Sequence, residues 1–216
     1  MKTSIVFASI ILSIVPVSLW ADWGACNISA AGNTGVQLQA GHKSRSDDTI
    51  AFTLSATGAQ LDNKTDSIGF ASGQAKLKGD CEIVAQVVEI SDGGPDWAAG
   101  GIMLRENFGA GSKFFAAGCS RGHGIRNFIR KKEGEVIAQQ ENCSDCTPPC
   151  WLKIIRHGDH FTSYKSMDGK VWLEINEADV PMKKALWAGA FATSGGGQPA
   201  VGIIFAHVAA HESGSK

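Results

Sequence analysis

Cysteine is the residue type in this sequence with the most distinctive chemistry. The chain has six cysteines, an even number. In an exported protein an even number of cysteines indicates disulfide bonds, because in an oxidising compartment two thiols are oxidised to form each disulfide. We predict that all six are disulfide-bonded, in a pairing that their spacing leaves open: Cys26, Cys81, Cys119, Cys143, Cys146 and Cys150.

Three of these cysteines lie close together within residues 142–150. Together with His157 and His160 they offer ligand types and a spacing that a zinc site could use. A redox-active Cys-x-x-Cys pair is a further alternative, but such pairs open a helix after a strand, whereas this pair lies in a predicted loop. Disulfides remain the expected state in an exported chain, so no metal site and no cofactor are predicted.

Paired carboxylates are a second group with catalytic chemistry, since retaining glycosidases hold two of them about 5–5.5 Å apart. The nearest candidates are Glu174 and Glu177. An offset of three places these side chains on opposite faces of a strand, where they cannot approach one substrate bond together. A glycoside hydrolase therefore stays an alternative, and no catalytic residue is predicted.

Flat aromatic rings and arginines are the side chains most suited to binding. Rings stack on the apolar faces of sugars, and guanidinium groups form paired hydrogen bonds with hydroxyl or carboxylate oxygens. The opposing interpretation is that the rings pack in the core and that the arginines pair with nearby acids. The candidate ligand-binding residues are Trp97, Arg105, Arg126, Arg156 and Tyr164.

The N-terminal segment predicts where the protein is sent. It has a lysine near its start, an apolar run over 5–17 and a small residue, Ala21, at a cleavage position. This order is typical of a secretory signal peptide, and the run is shorter than the roughly 20 residues that span a membrane. We predict a signal peptide over 1–21, a secreted, periplasmic or extracellular location and no membrane span. A lipoprotein anchored through Cys26 is the alternative.

Composition and charge narrow the partners. The chain is 44% hydrophobic and 19% charged, as ordinary globular proteins are. Its 20 basic and 21 acidic residues give a formal net charge of −1, so no overall field draws it to nucleic acid. A nucleic-acid partner is therefore not expected.

The elements that must position these residues are short β-strands. Runs of β-branched and aromatic residues alternate with clusters of Gly, Asp, Asn and Pro, and no helical period lies between them. Residues 22–216 are therefore predicted to form a single all-β domain, a sandwich or a barrel. The predicted strands are 50–54, 81–90, 101–106, 113–119, 124–130, 135–141, 151–156, 160–166, 171–175, 185–193 and 201–209.

Two hairpins and one central strand are predicted within this pattern. A short turn ends at Gly134, and Asp168-Gly169 has the residue types of a tight turn. The strand over 81–90 carries apolar residues on both faces, which is typical of a central strand.

Two motifs are the most specific in the chain: Gly-Ile-Met-Leu-Arg over 101–105, and Arg-x-Gly-x-x-Phe-Thr-x-Tyr-x-Ser-x-Asp-Gly-x-x-Trp over 156–172. Their order resembles the concanavalin A-like jelly-roll module of bacterial secreted and surface proteins loosely described as regulation-of-enolase-type. The resemblance covers about residues 35–209, and the cysteines over 143–150 depart from it. It implies a two-sheet antiparallel jelly-roll sandwich, a fold shared by carbohydrate binders, adhesion modules and glycosidases.

These features together predict a secreted, disulfide-containing β-sandwich without enzymatic activity that binds carbohydrate or a cell-surface partner. A jelly-roll glycoside hydrolase is the first alternative, and a purely structural or adhesive exoprotein is the second.

Overall fold

The structure is a computed structural model that describes residues 23–29, 35–43, 50–61, 64–143, 146–197 and 199–214, with the backbone alone at 35–43, 50–51 and 140–143. The predicted signal peptide over 1–21 lies outside the described residues. That segment and the single domain over 22–216 therefore stay predictions.

Every regular element in the described part of the chain is a β-strand, as the sequence predicts. No helix there is long and apolar enough to cross a membrane. The strands are β1 (Gly24–Ser29), β2 (Gly35–Lys43), β3 (Ile50–Thr57), β4 (Ser67–Ser72), β5 (Leu77–Lys78), β6 (Cys81–Ile90), β7 (Ala99–Arg105), β8 (Phe114–Ser120), β9 (Gly124–Arg130), β10 (Ala138–Cys143), β11 (Cys150–His157), β12 (His160–Ser166), β13 (Leu173–Asp179), β14 (Ala185–Thr193) and β15 (Val201–Glu212).

The strands form two antiparallel sheets, which confirms the predicted two-sheet sandwich. Sheet A has the order β1-β4-β14-β7-β8-β9-β10, with β5 paired to β14. Sheet B has the order β13-β12-β11-β6-β15-β3-β2. The prediction that residues 81–90 form a central strand is confirmed, since β6 has three strands on each side.

The main core lies between the two sheets. On β6 every second side chain, Ile83, Ala85 and Val87, is fully buried, as alternation along a strand requires. Rings from both sheets meet in this core, because Phe115 of β8 stacks on Phe161 of β12 with centroids 5.5 Å apart. The core residues thereby fix how the two sheets pack.

A second apolar cluster lies on the outer face of sheet A. It includes Phe70, Phe114, Phe128 and Phe191, all buried. Segments between the strands contribute to the same cluster, among them Leu61 and Ile137. These segments cover part of the outer face, so its strands are buried on both sides.

A buried charge cluster holds the covering segments to sheet A. Asp66 pairs through Oδ2 with Arg105 Nη2 at 3.2 Å and through Oδ1 with Arg130 Nη1 at 2.8 Å, and none of the three side chains is exposed. The Asp66 N–H donates to the Ala110 carbonyl at 2.7 Å. Arg130 Nε donates to the Glu135 carbonyl at 2.8 Å. The Asp66 carboxylate thus ties its own segment to β7 and β9, while the Asp66 N–H and Arg130 Nε hold two further segments, at Ala110 and Glu135.

Both predicted hairpins are present. Gly134 adopts a φ of 70° between β9 and β10, and Gly169 adopts a φ of 71° between β12 and β13. In the second turn Asp168 Oδ1 accepts hydrogen bonds from the N–H groups of Val171 at 2.9 Å and Lys170 at 2.8 Å. Positive φ is the conformation that favours glycine at these two positions.

These hydrogen bonds in the turn should make the stabilisation by Asp168 depend on pH. The N–H groups of Val171 and Lys170 stabilise the carboxylate and lower its pKa to about 2, from the ordinary aspartate value of 3.8. Because the folded pKa is the lower one, this stabilisation is complete above the unfolded value and is lost as the pH falls towards 2. An NMR titration of the Asp168 carboxyl should give a midpoint near 2. A midpoint near 3.8 would show that the turn hydrogen bonds are absent in solution.

Candidate functional site

A cleft of about 300 Å³ opens at one end of the outer face of sheet A, and we call it the Trp97 cleft. Strands β7 to β10 and β14 all contribute to its walls. Its apolar lining comes from Leu61, Ala99 and Phe128. Its polar lining comes from Gln60, Ser120, Arg126, Gln139 and Thr193.

Trp97 is the most prominent side chain of this cleft, with 48% of its surface exposed. Its ring stacks on His123 with centroids 3.6 Å apart and planes 19° apart. The Arg126 guanidinium carbon lies 4.3 Å from the centre of the Trp97 ring, within the range of a cation–π contact. The large exposed ring is therefore held in one orientation before any ligand arrives.

The two turns that carry Trp97 and His123 are hydrogen-bonded to each other. The Ala98 N–H donates to the Pro95 carbonyl at 2.9 Å and closes the turn that holds Trp97. From the β8–β9 turn, the Gly122 N–H donates to Asp96 O and the Arg121 N–H donates to Ala98 O, both at 2.9 Å. The backbone that carries the stacked rings is therefore held in place by these hydrogen bonds.

The loop after β14 also lines the cleft, and Gly195 permits its close approach to Trp97. Gly195 has a φ of 63°, and a Cβ atom there would come within 2.7 Å of the Trp97 carbonyl carbon. Thr193 Oγ1 donates to the Ala59 carbonyl at 2.7 Å, and Ser194 Oγ accepts from the Ala59 N–H at 2.9 Å. These bonds also fix the position of the neighbouring Gln60.

The cleft brings together two of the five candidate ligand-binding residues, Trp97 and Arg126. Arg105 is fully buried in its ion pair with Asp66. For this residue the opposing interpretation, that the arginines pair with nearby acids, is therefore the one that applies. Its other donors are also used, because Nε donates to Asn107 O at 2.7 Å and Nη2 to Gly109 O at 2.8 Å. Arg105 thus holds a loop rather than facing a cleft.

Arg156 and Tyr164 lie on sheet B, away from the cleft. Arg156 is 3% exposed, and Nε donates to the carbonyl of Gly158 at 2.6 Å while Nη1 donates to that of Lys184 at 3.2 Å. Tyr164 is half-buried on the outer face of sheet B, with Lys153 Nζ 5.0 Å from its ring centre. The five candidates therefore do not form one site.

The candidate carboxylates Glu174 and Glu177 also lie on sheet B, on the edge strand β13. Glu177 Oε2 pairs with His160 Nε2 at 3.3 Å. His157, the other histidine considered for zinc, pairs through Nδ1 with Asp80 Oδ2 at 3.2 Å. In the described part of the chain, no three or more His, Cys, Asp or Glu side chains are grouped as metal ligands.

The cysteines differ from the prediction of a fully disulfide-bonded set. Cys146 is disulfide-bonded, and the side chain of Cys143 lies outside the described residues. A hydrogen bond with Cys150, together with burial, raises the pKa of the Cys119 thiol. These two core thiols are therefore neighbours that form no disulfide with each other. Burial raises the pKa of Cys81 to about 11. The disulfide expectation is corrected at four positions where the thiols are free, namely Cys26, Cys81, Cys119 and Cys150.

Several residues of the Trp97 cleft were not predicted. Phe128 follows Arg126 by two positions on β9, so strand alternation alone places both side chains on the same face. His123 comes from the turn before β9 and had no pattern of its own. Gln60 and Gln139 are exposed and lie far apart in sequence, so no local signal marks them.

No protein-family model matches the sequence, and no curated protein matches it. A functionally unknown protein from Saccharomyces cerevisiae has a similar structure, with a TM-score of 0.61 and 16% identity over 82% of this chain and 96% of that chain. The carbohydrate binding module CBM66 from Bacillus subtilis has a TM-score of 0.57 and 17% identity over 88% and 96%. A legume lectin-like domain from Entamoeba histolytica has a TM-score of 0.55 and 13% identity over 98% and 100%.

These similarities establish the fold class. The chain is an all-β, two-sheet antiparallel jelly-roll sandwich with a concanavalin A-like fold, as predicted. At such low identities the similarity shows the fold alone, and many functions occur on one fold.

Proposed function

We propose that this protein is a carbohydrate-binding module that holds a sugar in the Trp97 cleft. The observation that carries the proposal is the Trp97 ring, about half of whose surface is exposed, at the mouth of a cleft with both apolar and polar walls. A saccharide has the complementary surface, because each ring combines an apolar C–H face with hydroxyl groups at its edge.

The lining matches the hydrogen-bonding needs of such a ligand. Gln60 and Gln139 each provide a carboxamide with donors and an acceptor, and Arg126 provides only donors. Phe128 and Leu61 supply apolar surface beneath them. A few polar groups placed around an apolar floor are typical of small-molecule sites.

Two of the structural neighbours support the proposal by their names, a carbohydrate binding module and a legume lectin-like domain. The finer parts of the function are proposals as well: secretion, a disulfide bond at Cys146 in the exported protein, absence of enzymatic activity, a glycan or cell-surface partner, and membership of the regulation-of-enolase-type module. A glycoside hydrolase and a structural exoprotein are the alternatives that the experiment must distinguish.

The test is a glycan array followed by calorimetry on the oligosaccharide that binds. We expect Trp97→Ala and Arg126→Ala each to weaken binding at least about tenfold, which corresponds to about 1.4 kcal/mol. The matched control is Trp172→Ala, because Trp172 is a half-buried indole in the turn between β12 and β13 of sheet B, with Lys153 Nζ 4.3 Å from its ring centre. This control should bind as the wild type does.

A second variant guards against misfolding. Gln139 is exposed at the rim, so Gln139→Ala should leave the melting temperature unchanged and still weaken binding. The proposal is wrong if no glycan binds, or if Trp172→Ala weakens binding as much as Trp97→Ala does. Release of reducing sugar from a bound glycan would instead favour the hydrolase.

A further inference from the structure

A second and larger cleft, of about 540 Å³, opens on the outer face of sheet A, and we call it the Trp187 cleft. It lies across β1, the end of β4, the start of β14 and the loop after β7. Its floor includes Trp187 and Phe108, and Asn27, Ser72 and Gln74 line it with polar groups.

The aromatic rings of this cleft form a series of contacts that runs from the buried apolar cluster to the solvent-exposed surface. Phe70 is fully buried at its base, and its ring centroid lies 6.1 Å from that of Phe108. Phe108 in turn lies 4.6 Å from the centroid of Trp187. Phe108 is 41% exposed, which is a large apolar surface for a ring on a short loop.

The loop that carries Phe108 is held rigidly. Arg105, itself fixed by Asp66, donates to the carbonyls of Asn107 at 2.7 Å and Gly109 at 2.8 Å, the residues on either side of Phe108. Asn107 Oδ1 accepts from the Gly109 N–H at 2.7 Å. An exposed ring on such a loop loses little conformational freedom when it contacts a ligand.

The two clefts share the same chemistry. Each has an indole beside a cation: Arg126 lies 4.3 Å from the Trp97 ring, and Lys76 Nζ lies 5.8 Å from the Trp187 ring. Each also has carboxamide side chains in its lining. Thr193 lines the Trp97 cleft and Trp187 lines the Trp187 cleft, and both side chains lie on the same face of β14.

The two clefts are separate. Trp187 and Thr193 are six residues apart on one strand, which at about 3.3 Å per residue places them about 20 Å from each other. Phe191 lies between them on that face and is fully buried, as are Arg105 and Asp66 nearby. Covered surface therefore divides the outer face into two openings rather than one continuous groove.

We propose that the Trp187 cleft is a second carbohydrate-binding site, which takes a neutral saccharide unit against Trp187 and Phe108. This inference rests on the proposed function of the Trp97 cleft. Two sites on one sheet face suit a long ligand, because binding at one site raises the effective concentration of the chain at the other. A polysaccharide is therefore bound more tightly than a disaccharide of the same composition.

The probes are disaccharides from glucan, xylan and mannan together with the corresponding polysaccharides. For the disaccharide that binds, calorimetry or native mass spectrometry should give two molecules per wild-type chain. Trp187→Ala, Phe108→Ala and Trp97→Ala should each reduce this number to one. Affinity electrophoresis in the polysaccharide should show at least about a hundredfold weaker binding for each of these variants.

Phe108→Ala keeps the test valid if Trp187→Ala does not fold, since Phe108 is a partly exposed loop residue. Trp172→Ala, in the turn between β12 and β13, is again the control and should keep both sites. One disaccharide per wild-type chain, lost with Trp97→Ala and kept with Phe108→Ala, overturns this inference and leaves the proposed function intact. Failure of every saccharide to bind the wild type overturns both.

Discussion

Replacing Asp66 with alanine is expected to lower the free energy of unfolding by about 3–5 kcal/mol. The reason is that Asp66 is the anion of a buried cluster whose cations, Arg105 and Arg130, are also without exposed surface. Burial disfavours each charge alone, since it raises the pKa of Asp66 and lowers the pKa of Arg105. Without the carboxylate, two guanidinium groups stay buried beside each other with their main counter-ion gone.

Urea unfolding followed by fluorescence measures this effect. The matched control is Asp92→Asn, because Asp92 is fully exposed and lies 3.9 Å from Arg121 Nη2. Exposed ion pairs contribute little, so the control should stay within about 0.5 kcal/mol of the wild type. Equal stability of Asp66→Ala and the control would contradict the structural role of the cluster.

Replacing Phe161 with alanine is expected to cost about 3–5 kcal/mol, as for other large buried aromatic residues. Phe161 is fully buried and stacks on Phe115 of the other sheet, so its loss leaves a cavity where the two sheets meet. In a domain of this size each kcal/mol shifts the melting temperature by about 2–4 °C. The expected decrease in melting temperature is therefore about 6–20 °C.

The control for this variant is Leu173→Ala on the neighbouring strand β13. Leu173 is 59% exposed, so removing its side chain leaves no cavity. Its melting temperature should stay close to that of the wild type. The packing described between the sheets is contradicted if both variants melt at the same temperature.

Most of the fold could be predicted because alternation is a local property. The buried residues Ile83, Ala85 and Val87 alternate along β6, and four predicted strands have the observed bounds: 81–90, 124–130, 160–166 and 185–193. Strands β1, β2, β4 and β5 were not predicted. β1 and β2 lie at the sheet edges, where the pairing of the backbone with one neighbour outweighs weak strand propensity, whereas β4 lies inside sheet A between β1 and β14.

The candidate site could be predicted only in part. Trp97 and Arg126 were chosen for their side-chain chemistry, and this cleft contains both. The same chemistry suggested Arg105, but its partner Asp66 is 39 residues away in the sequence, so no local pattern distinguishes a buried ion pair from a binding residue. The covering of the outer face by Leu61 and Ile137 likewise depends on contacts between distant segments.

The central claim, that sugar is held in the Trp97 cleft, is tested most directly by the indole N–H signals of the tryptophans in an NMR titration with the oligosaccharide from the array. The structure predicts that the Trp97 signal shifts as sugar is added, while those of Trp151 on β11 and Trp172 in the turn between β12 and β13 stay in place. Shifts of the Trp151 and Trp172 signals with an unchanged Trp97 signal would contradict the account and place the binding surface on the other sheet.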